Sequence, residues 1–241
     1  MSSTSTMSRK DVTLSGSVPR VTALPAADLE GFFQLLPRIY ADYHDPRRGP
    51  FKMAYMYANT PDNEDSMFLR AIELANAGAI ESLGTSEGDL GYGYEGFDHS
   101  VARLKALGWK DKVPLVKLDV GGNVNTGSEA QKLAEYLLNY DSGLWMKTDL
   151  AIIAPPFHLP RAFMTTVTAL HRADLKMRVY PICGVPLPWN EEAVHSQGTL
   201  KKKRADLLDS ELQRLEKYRA AEFGSMLPPS EVLKYLDWRD G

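Results

Sequence analysis

A histidine and an arginine three residues apart have the clearest chemical potential in this chain. His158 and Arg161 lie in the segment DLAIIAPPFHLPR, shortly after an apolar run. An imidazole can give or take a proton near neutral pH, and a guanidinium can hold a phosphate or a carboxylate. We therefore predict His158 and Arg161 as catalytic residues. The alternative, a histidine whose ring only satisfies the backbone of its own loop, stays open.

The elements around this pair would place it where ligands bind. The apolar run 150–154 has the length of a buried parallel strand, and Pro155 and Pro156 end it because neither can donate to a ladder. Pro160 suits the first position of a helix that we expect to reach about Arg172. In an open α/β sheet, loops from strand carboxyl ends into helices form the ligand crevice.

A second polar turn, VNTGSE, precedes another helical pattern. Thr126 and Glu129 have the spacing of a capping box, which would explain both residues structurally. The turn is also rich in glycine and asparagine, and the start of a helix attracts anions. We predict Asn125, Thr126 and Glu129 as ligand-binding residues, with capping as the alternative for Thr126 and Glu129; the capping box does not explain Asn125.

Two further loops supply candidates. Asn59 follows a predicted strand at 52–58, and it could read a ligand or close an Asx-turn before a helix capped by Thr60. Ser86, Glu87 and Gly88 follow a weakly apolar strand at 79–85. All four residues would lie at strand carboxyl ends, so we predict them as ligand-binding residues as well.

Residues 91–96, GYGYEG, match the dinucleotide-binding pattern GxGxxG literally. Five residues separate the first glycine from the preceding strand, and tyrosines stand where a backbone must approach a pyrophosphate. The segment therefore favours a mobile loop that covers a site over a dinucleotide fingerprint, although both interpretations stay open.

Strand patterns alternate with amphipathic helices along the chain. This order predicts an α/β fold, a doubly wound and mostly parallel sheet of the Rossmann-like type. We expect residues 1–25 to be a disordered tail and residues 26–241 to form a single domain. Its core would span about 52–182, and 200–238 would be a C-terminal helical extension. The basic run 201–204 is predicted to start a helix, with a phosphate clamp as the alternative.

Composition narrows the class of protein. The chain has 241 residues, 44% hydrophobic content and a net charge of −3, which gives no electrostatic footprint for nucleic acid or an anionic membrane. This sequence shows no apolar segment long enough to span a bilayer and no pattern of a secretory signal. Its histidines do not have the spacing of metal ligands. We expect a cytoplasmic protein with a small-molecule ligand and no metal, nucleic-acid or membrane partner, in an oligomeric state that the sequence leaves open.

Three segments, NTGSEA, PPFHLPRA and RAIELANAGAIESLGTSEG, together resemble the motifs of the YdcF-like (DUF218) family. The matching positions are Arg70, Ser86, Asn125, Thr126, Glu129, His158 and Arg161. The resemblance covers about 52–181, and it implies a cleft in an α/β fold with S-adenosylmethionine as a possible ligand. The chain departs from the family at residues 58–60, Ala-Asn-Thr in place of a Leu-Gly turn, and we expect no membrane anchor of the kind that envelope members carry.

Two functions of different classes follow. The first is binding of a nucleotide-type metabolite such as S-adenosylmethionine, as a binding module or a transferase. The second is hydrolysis or transfer of a phosphorylated or anionic substrate, with His158 as acid/base and Arg161 as the anion holder. An oxidoreductase that uses the glycine-rich loop is a third and weaker hypothesis.

Overall fold

The computed structural model describes residues 24–88, 93–122, 124–139, 148–195, 200–219 and 226–241. Five strands form one all-parallel sheet in the order β3-β2-β1-β4-β5. They are β1 Met53–Met56, β2 Leu83–Ser86, β3 Leu115–Leu118, β4 Asp149–Ala154 and β5 Arg178–Cys183. The predicted doubly wound α/β fold is confirmed.

Helices cover both faces of the sheet. They are α1 Ala26–Tyr40, α2 Pro61–Asn76, α3 Phe97–Ala106, α4 Thr126–Asn139, α5 Leu159–Arg172, α6 Leu207–Arg219 and α7 Pro229–Asp240. The core on one face includes residues of α2 and α3, and the core on the other includes residues of α1, α4, α5, α6 and α7. None of the described helices is long and apolar enough to cross a membrane.

The interior strand β4 shows why the apolar run predicts the sheet correctly. Every residue of β4 is buried, and its side chains alternate between the two cores. Leu150 and Ile152 belong to the core shared with α4 and α5, whereas Ala151 and Ile153 belong to the core shared with α2. A strand that is covered on both faces reads as a continuous hydrophobic run.

The first three residues of the basic run 201–204 lie in a strand, so their predicted role as the start of a helix is wrong, and only Arg204 begins a 3-10 turn before α6. Glu192–His195 (β6) and Leu200–Lys203 (β7) form an antiparallel pair. The pair is held against α2, because the Val194 carbonyl accepts hydrogen bonds from the Thr60 hydroxyl at 2.6 Å and from the Asn63 amide at 3.0 Å. The Thr60 side chain therefore does not cap α2 as predicted.

The strand order creates a crevice between β1 and β4. The two strands are neighbours, but the chain leaves β1 into α2 on one face and leaves β4 into α5 on the other. Connections that diverge in this way open a space at the carboxyl edge of the sheet. Residues 1–23 lie outside the described residues, so the expected tail stays a prediction, as does the single-domain organisation.

Candidate functional site

A cleft of about 950 Å³ opens at this crevice. The loop after β1, the start of α4, the start of α5 and part of α6 contribute to its wall. It brings together five of the residues predicted from the sequence: Asn59, Asn125, Thr126, His158 and Arg161. Loops that are far apart in sequence thus converge where the topology of the sheet places a ligand.

Asn125 caps helix α4. Its side-chain oxygen accepts hydrogen bonds from the backbone N–H groups of Gly127 at 2.9 Å and Ser128 at 3.1 Å. The predicted capping box is wrong, because Thr126 is already the first helical residue and the Glu129 carboxylate turns toward β1. Asn125 performs the capping, so the Thr126 hydroxyl is available for other contacts.

Thr126 joins the two predicted catalytic residues. Its hydroxyl oxygen lies 3.0 Å from His158 Nε2 and accepts a hydrogen bond from Arg161 Nη1. All three side chains are at least nine-tenths buried, yet all three line the cleft. His158 immediately precedes α5 and Arg161 lies in its first turn. Residues three apart at the start of a helix lie on the same side, so both side chains reach Thr126 on α4.

Arg161 forms a buried ion pair. Its guanidinium donates from Nε and Nη2 to the two carboxylate oxygens of Glu211 on α6, at 2.6 and 3.1 Å, and it stacks over the ring of Tyr218. Such two-point contacts fix a guanidinium in both position and orientation. Part of the charge predicted to hold an anion is therefore shared with Glu211.

His158 is held on its other side by the first loop. The Asn59 amide nitrogen lies 3.5 Å from His158 Nδ1 and also donates to the Tyr57 carbonyl at 3.2 Å. The ring of Tyr57 meets the imidazole edge-on, with centroids 6.0 Å apart. The loops that follow β1 and β4 are thus joined through the side chain predicted to do acid/base chemistry.

Glu129 lies under the cleft and does not line it. Its carboxylate accepts hydrogen bonds from the Ala58 backbone N–H at 2.8 Å and the Tyr55 hydroxyl at 2.9 Å, and Ser86 also bonds to it. Burial raises the pKa of Glu129 to about 7, although these hydrogen bonds favour the ionised form. Glu129 ties α4 to the ends of β1 and β2.

Ser86, Glu87 and Gly88 stand apart from the main cleft. Ser86 and Gly88 border a separate small cavity, and Glu87 forms an ion pair with Lys117 at 2.5 Å. Gly88 has a φ of +86° and packs directly on the backbone of Gly96. Its role is the close approach of two loops, which no side chain would permit.

The glycine-rich segment reaches the cleft through one side chain. Tyr94 lines both the main cleft and the small cavity, and burial raises its pKa to about 12. Gly91 and Tyr92 lie outside the described residues, so the predicted covering loop stays a prediction. Gly93 and Gly96 both have positive φ values, and Gly96 immediately precedes α3.

Sequence reasoning missed the cations of the cleft. Besides Arg161, the wall includes Arg172 at the end of α5 and Arg214 and Lys217 on α6. A sequence signal for the last two existed, because Glu211, Arg214 and Lys217 recur at a spacing of three along α6. Which loop this helical face would meet depends on tertiary packing, and the sequence does not specify it.

Comparisons with known proteins identify no family. No family model, curated protein or solved structure matches this chain. The resemblance to the YdcF-like family therefore stays a prediction carried by its motifs.

The composition of the cleft also bears on metal binding. Within the described residues, no group of three or more histidine, cysteine, aspartate or glutamate side chains is placed to hold a metal ion. The polar groups that converge at His158 are instead amide, hydroxyl and guanidinium groups. Such groups bind and orient an organic anion through hydrogen bonds.

Proposed function

We propose that this protein binds a phosphate-bearing metabolite of nucleotide size in the cleft between β1 and β4. The observation that carries the proposal is the charge of the wall. Among the described residues that line the cleft, four are cationic and one is a carboxylate: Arg161, Arg172, Arg214 and Lys217 against Glu135. Glu211, behind the wall, compensates the charge of Arg161, so cations still outnumber carboxylates. A concave site lined by one sign of charge concentrates ligands of the opposite sign.

The surroundings of Arg214 support an anionic ligand. Burial and, secondly, the charge of Arg161 lower the pKa of Arg214. The Arg214 guanidinium lies 3.9 Å from the Glu211 carboxylate, which also holds Arg161 at much shorter range. A phosphate dianion beside the two guanidinium groups would relieve their repulsion and gain charge-assisted hydrogen bonds.

The size of the cleft favours more than inorganic phosphate. About 950 Å³ is near the upper end of the range that holds whole small-molecule ligands. Apolar and small side chains of the same wall, Ala134, Leu138, Ala169 and Met226, offer a surface for an uncharged part of the ligand. A nucleotide or a comparable phosphorylated metabolite combines both features.

S-adenosylmethionine, which the family resemblance suggests, fits the charge of this wall less well. Its carboxylate would suit the arginines, but its sulfonium is a cation and would face them. We rank phosphorylated nucleotides above it.

Turnover of the bound phosphate compound is a second candidate function, because an imidazole nitrogen lies 3.0 Å from a hydroxyl at the cleft wall. Such a pair can pass a proton in hydrolysis or transfer. Under pure binding, the unmodified protein should form no product from any compound that it binds. Under catalysis, the unmodified protein should form product and His158→Ala should lose turnover.

A thermal-shift panel tests the ligand class. We would heat the purified protein with AMP, ADP, sugar phosphates, nicotinamide dinucleotides and S-adenosylmethionine in separate samples. Ligand at about a hundred times its dissociation constant should stabilise the fold by roughly 2.7 kcal/mol. The proposal expects shifts with phosphate compounds, and a shift with S-adenosylmethionine alone would contradict it.

A further inference from the structure

The hydroxyl of Thr126 has its acceptor capacity fully engaged on the protein side. A threonine hydroxyl has one proton to donate and two lone pairs that accept. Arg161 Nη1 is a donor under all conditions, because a guanidinium is not deprotonated in proteins, and it uses one lone pair of Thr126 Oγ1. The remaining question is whether His158 Nε2 gives a proton to Thr126 or takes one.

Asn59 answers this question. Its amide nitrogen donates to the Tyr57 carbonyl, which can only accept, so the orientation of the amide is fixed. The same nitrogen lies 3.5 Å from His158 Nδ1 and 3.6 Å from the Met67 sulfur, so its second N–H is directed between these two acceptors. A lone pair on Nδ1 accepts that N–H, whereas a proton on Nδ1 would face it, and we therefore assign the proton of a neutral His158 to Nε2.

His158 Nε2–H then donates to Thr126 Oγ1 across 3.0 Å. Both lone pairs of the oxygen are occupied by donors, and only the hydroxyl proton remains to be placed. Thr126 is 95% buried and lines the cleft. In the described contacts of Thr126, no protein group accepts this proton. The hydroxyl can therefore donate it to a ligand in the cleft.

We propose that Thr126 determines ligand specificity. Its hydroxyl donates a hydrogen bond to an anionic oxygen of the ligand's terminal phosphate group. This inference rests on the proposed phosphate-binding function and names the atom that recognises the phosphate. Arg161 and His158 orient the hydroxyl, and the nearby Arg214 supplies charge. A site built around a fixed donor discriminates against analogues that lack the matching acceptor.

Binding of AMP, with adenosine as the analogue that lacks phosphate, tests the role of the hydroxyl by calorimetry. Thr126→Ser keeps the hydroxyl, so its affinity for AMP should stay within about threefold of the original. Thr126→Ala should weaken AMP binding about tenfold or more and leave adenosine binding unchanged. Thr165→Ala is the matched control, because Thr165 lines the same cleft but directs its hydroxyl to the Met226 sulfur.

The His158 tautomer gives a test in the unmodified protein. Long-range ¹⁵N–¹H correlation spectra should show the proton of the neutral ring on Nε2. A proton on Nδ1 would mean that Thr126 donates to His158, and the inference would be overturned whatever the variants do.

These experiments distinguish failure of the Thr126 inference from failure of the proposed phosphate-binding function. Equal AMP affinity in Thr126→Ala and the unmodified protein would overturn the inference and leave the proposed function standing. Failure of the unmodified protein to bind AMP and the other phosphate compounds would overturn the proposed function, and the ligand role of Thr126 with it.

Discussion

Glu129 is the residue whose chemistry departs most from its ordinary behaviour. Its carboxyl is buried beneath the cleft, and its pKa rises from 4.5 to about 7 in the folded protein. The folded state therefore holds this proton more tightly than the unfolded state. Its contribution to stability is complete below about pH 4.5 and is lost as the pH rises through about 7.

Replacement of Glu129 by glutamine should flatten this pH dependence. The unmodified protein should lose on the order of 3 kcal/mol of unfolding free energy from this group between pH 4.5 and 8, and Glu129→Gln should not. Denaturant unfolding across that range measures the difference. Glu135→Gln, at a half-exposed position of the same helix, should keep the slope of the unmodified protein. An unchanged slope in Glu129→Gln would refute this assignment.

Glu211 is the counter-ion that permits a buried arginine at the cleft. Removal of one partner leaves a buried charge without compensation, so Glu211→Gln should lower the unfolding free energy by about 3 kcal/mol. The exposed pair of Lys201 with Glu192, 3.4 Å apart, gives the matched control. Glu192→Gln should cost less than about 1 kcal/mol, and similar losses in the two variants would show that burial of the Arg161 pair is unimportant.

At the scale of elements, the start of α4 depends on Asn125. The side chain caps two backbone N–H groups, so Asn125→Ala should cost about 1 kcal/mol of stability. Asn76→Ala, at the exposed end of α2, should change stability by less than half of that amount. Chemical denaturation measures both, and an unaffected Asn125→Ala would place the cap elsewhere.

The contact of two loops at Gly88 is a second element-scale feature. A Cβ atom on Gly88 would lie 2.2 Å from the Gly96 Cα, whereas one on Gly93 would meet nothing within 4 Å. Both glycines have a positive φ, so Gly93→Ala isolates the backbone strain, about 1 kcal/mol. Gly88→Ala should cost at least about 1 kcal/mol more in thermal unfolding, and equal costs would argue against the close approach.

Local patterns explain which elements the sequence predicts well. The run 150–154 and the apolar stripes of α2, α4 and α5 are local signals, and the structure confirms a strand and three helices there. The sequence did not predict the strands β6 and β7, because they are polar and are held by hydrogen bonds from the start of α2. A lysine-rich strand has no apolar alternation to reveal it.

At the scale of the whole molecule, the sequence locates the cleft but not its charge. Strand and loop positions suffice to bring Asn59, Thr126 and His158 to one edge of a parallel sheet. The Arg161 contact with Glu211 spans 50 positions along the chain, and the orientation of α6 decides it. The cations of α6 at the cleft follow from that packing, which no local pattern encodes.

The central claim, a cationic cleft that binds a phosphate-bearing metabolite, is tested most directly by titration calorimetry of AMP into three proteins. The unmodified protein should bind AMP, and Arg214→Ala should bind it about tenfold more weakly. Arg47→Ala removes an equal charge from an exposed loop and should bind AMP as the unmodified protein does. Equal affinities in all three proteins, or no binding in any, would contradict the account.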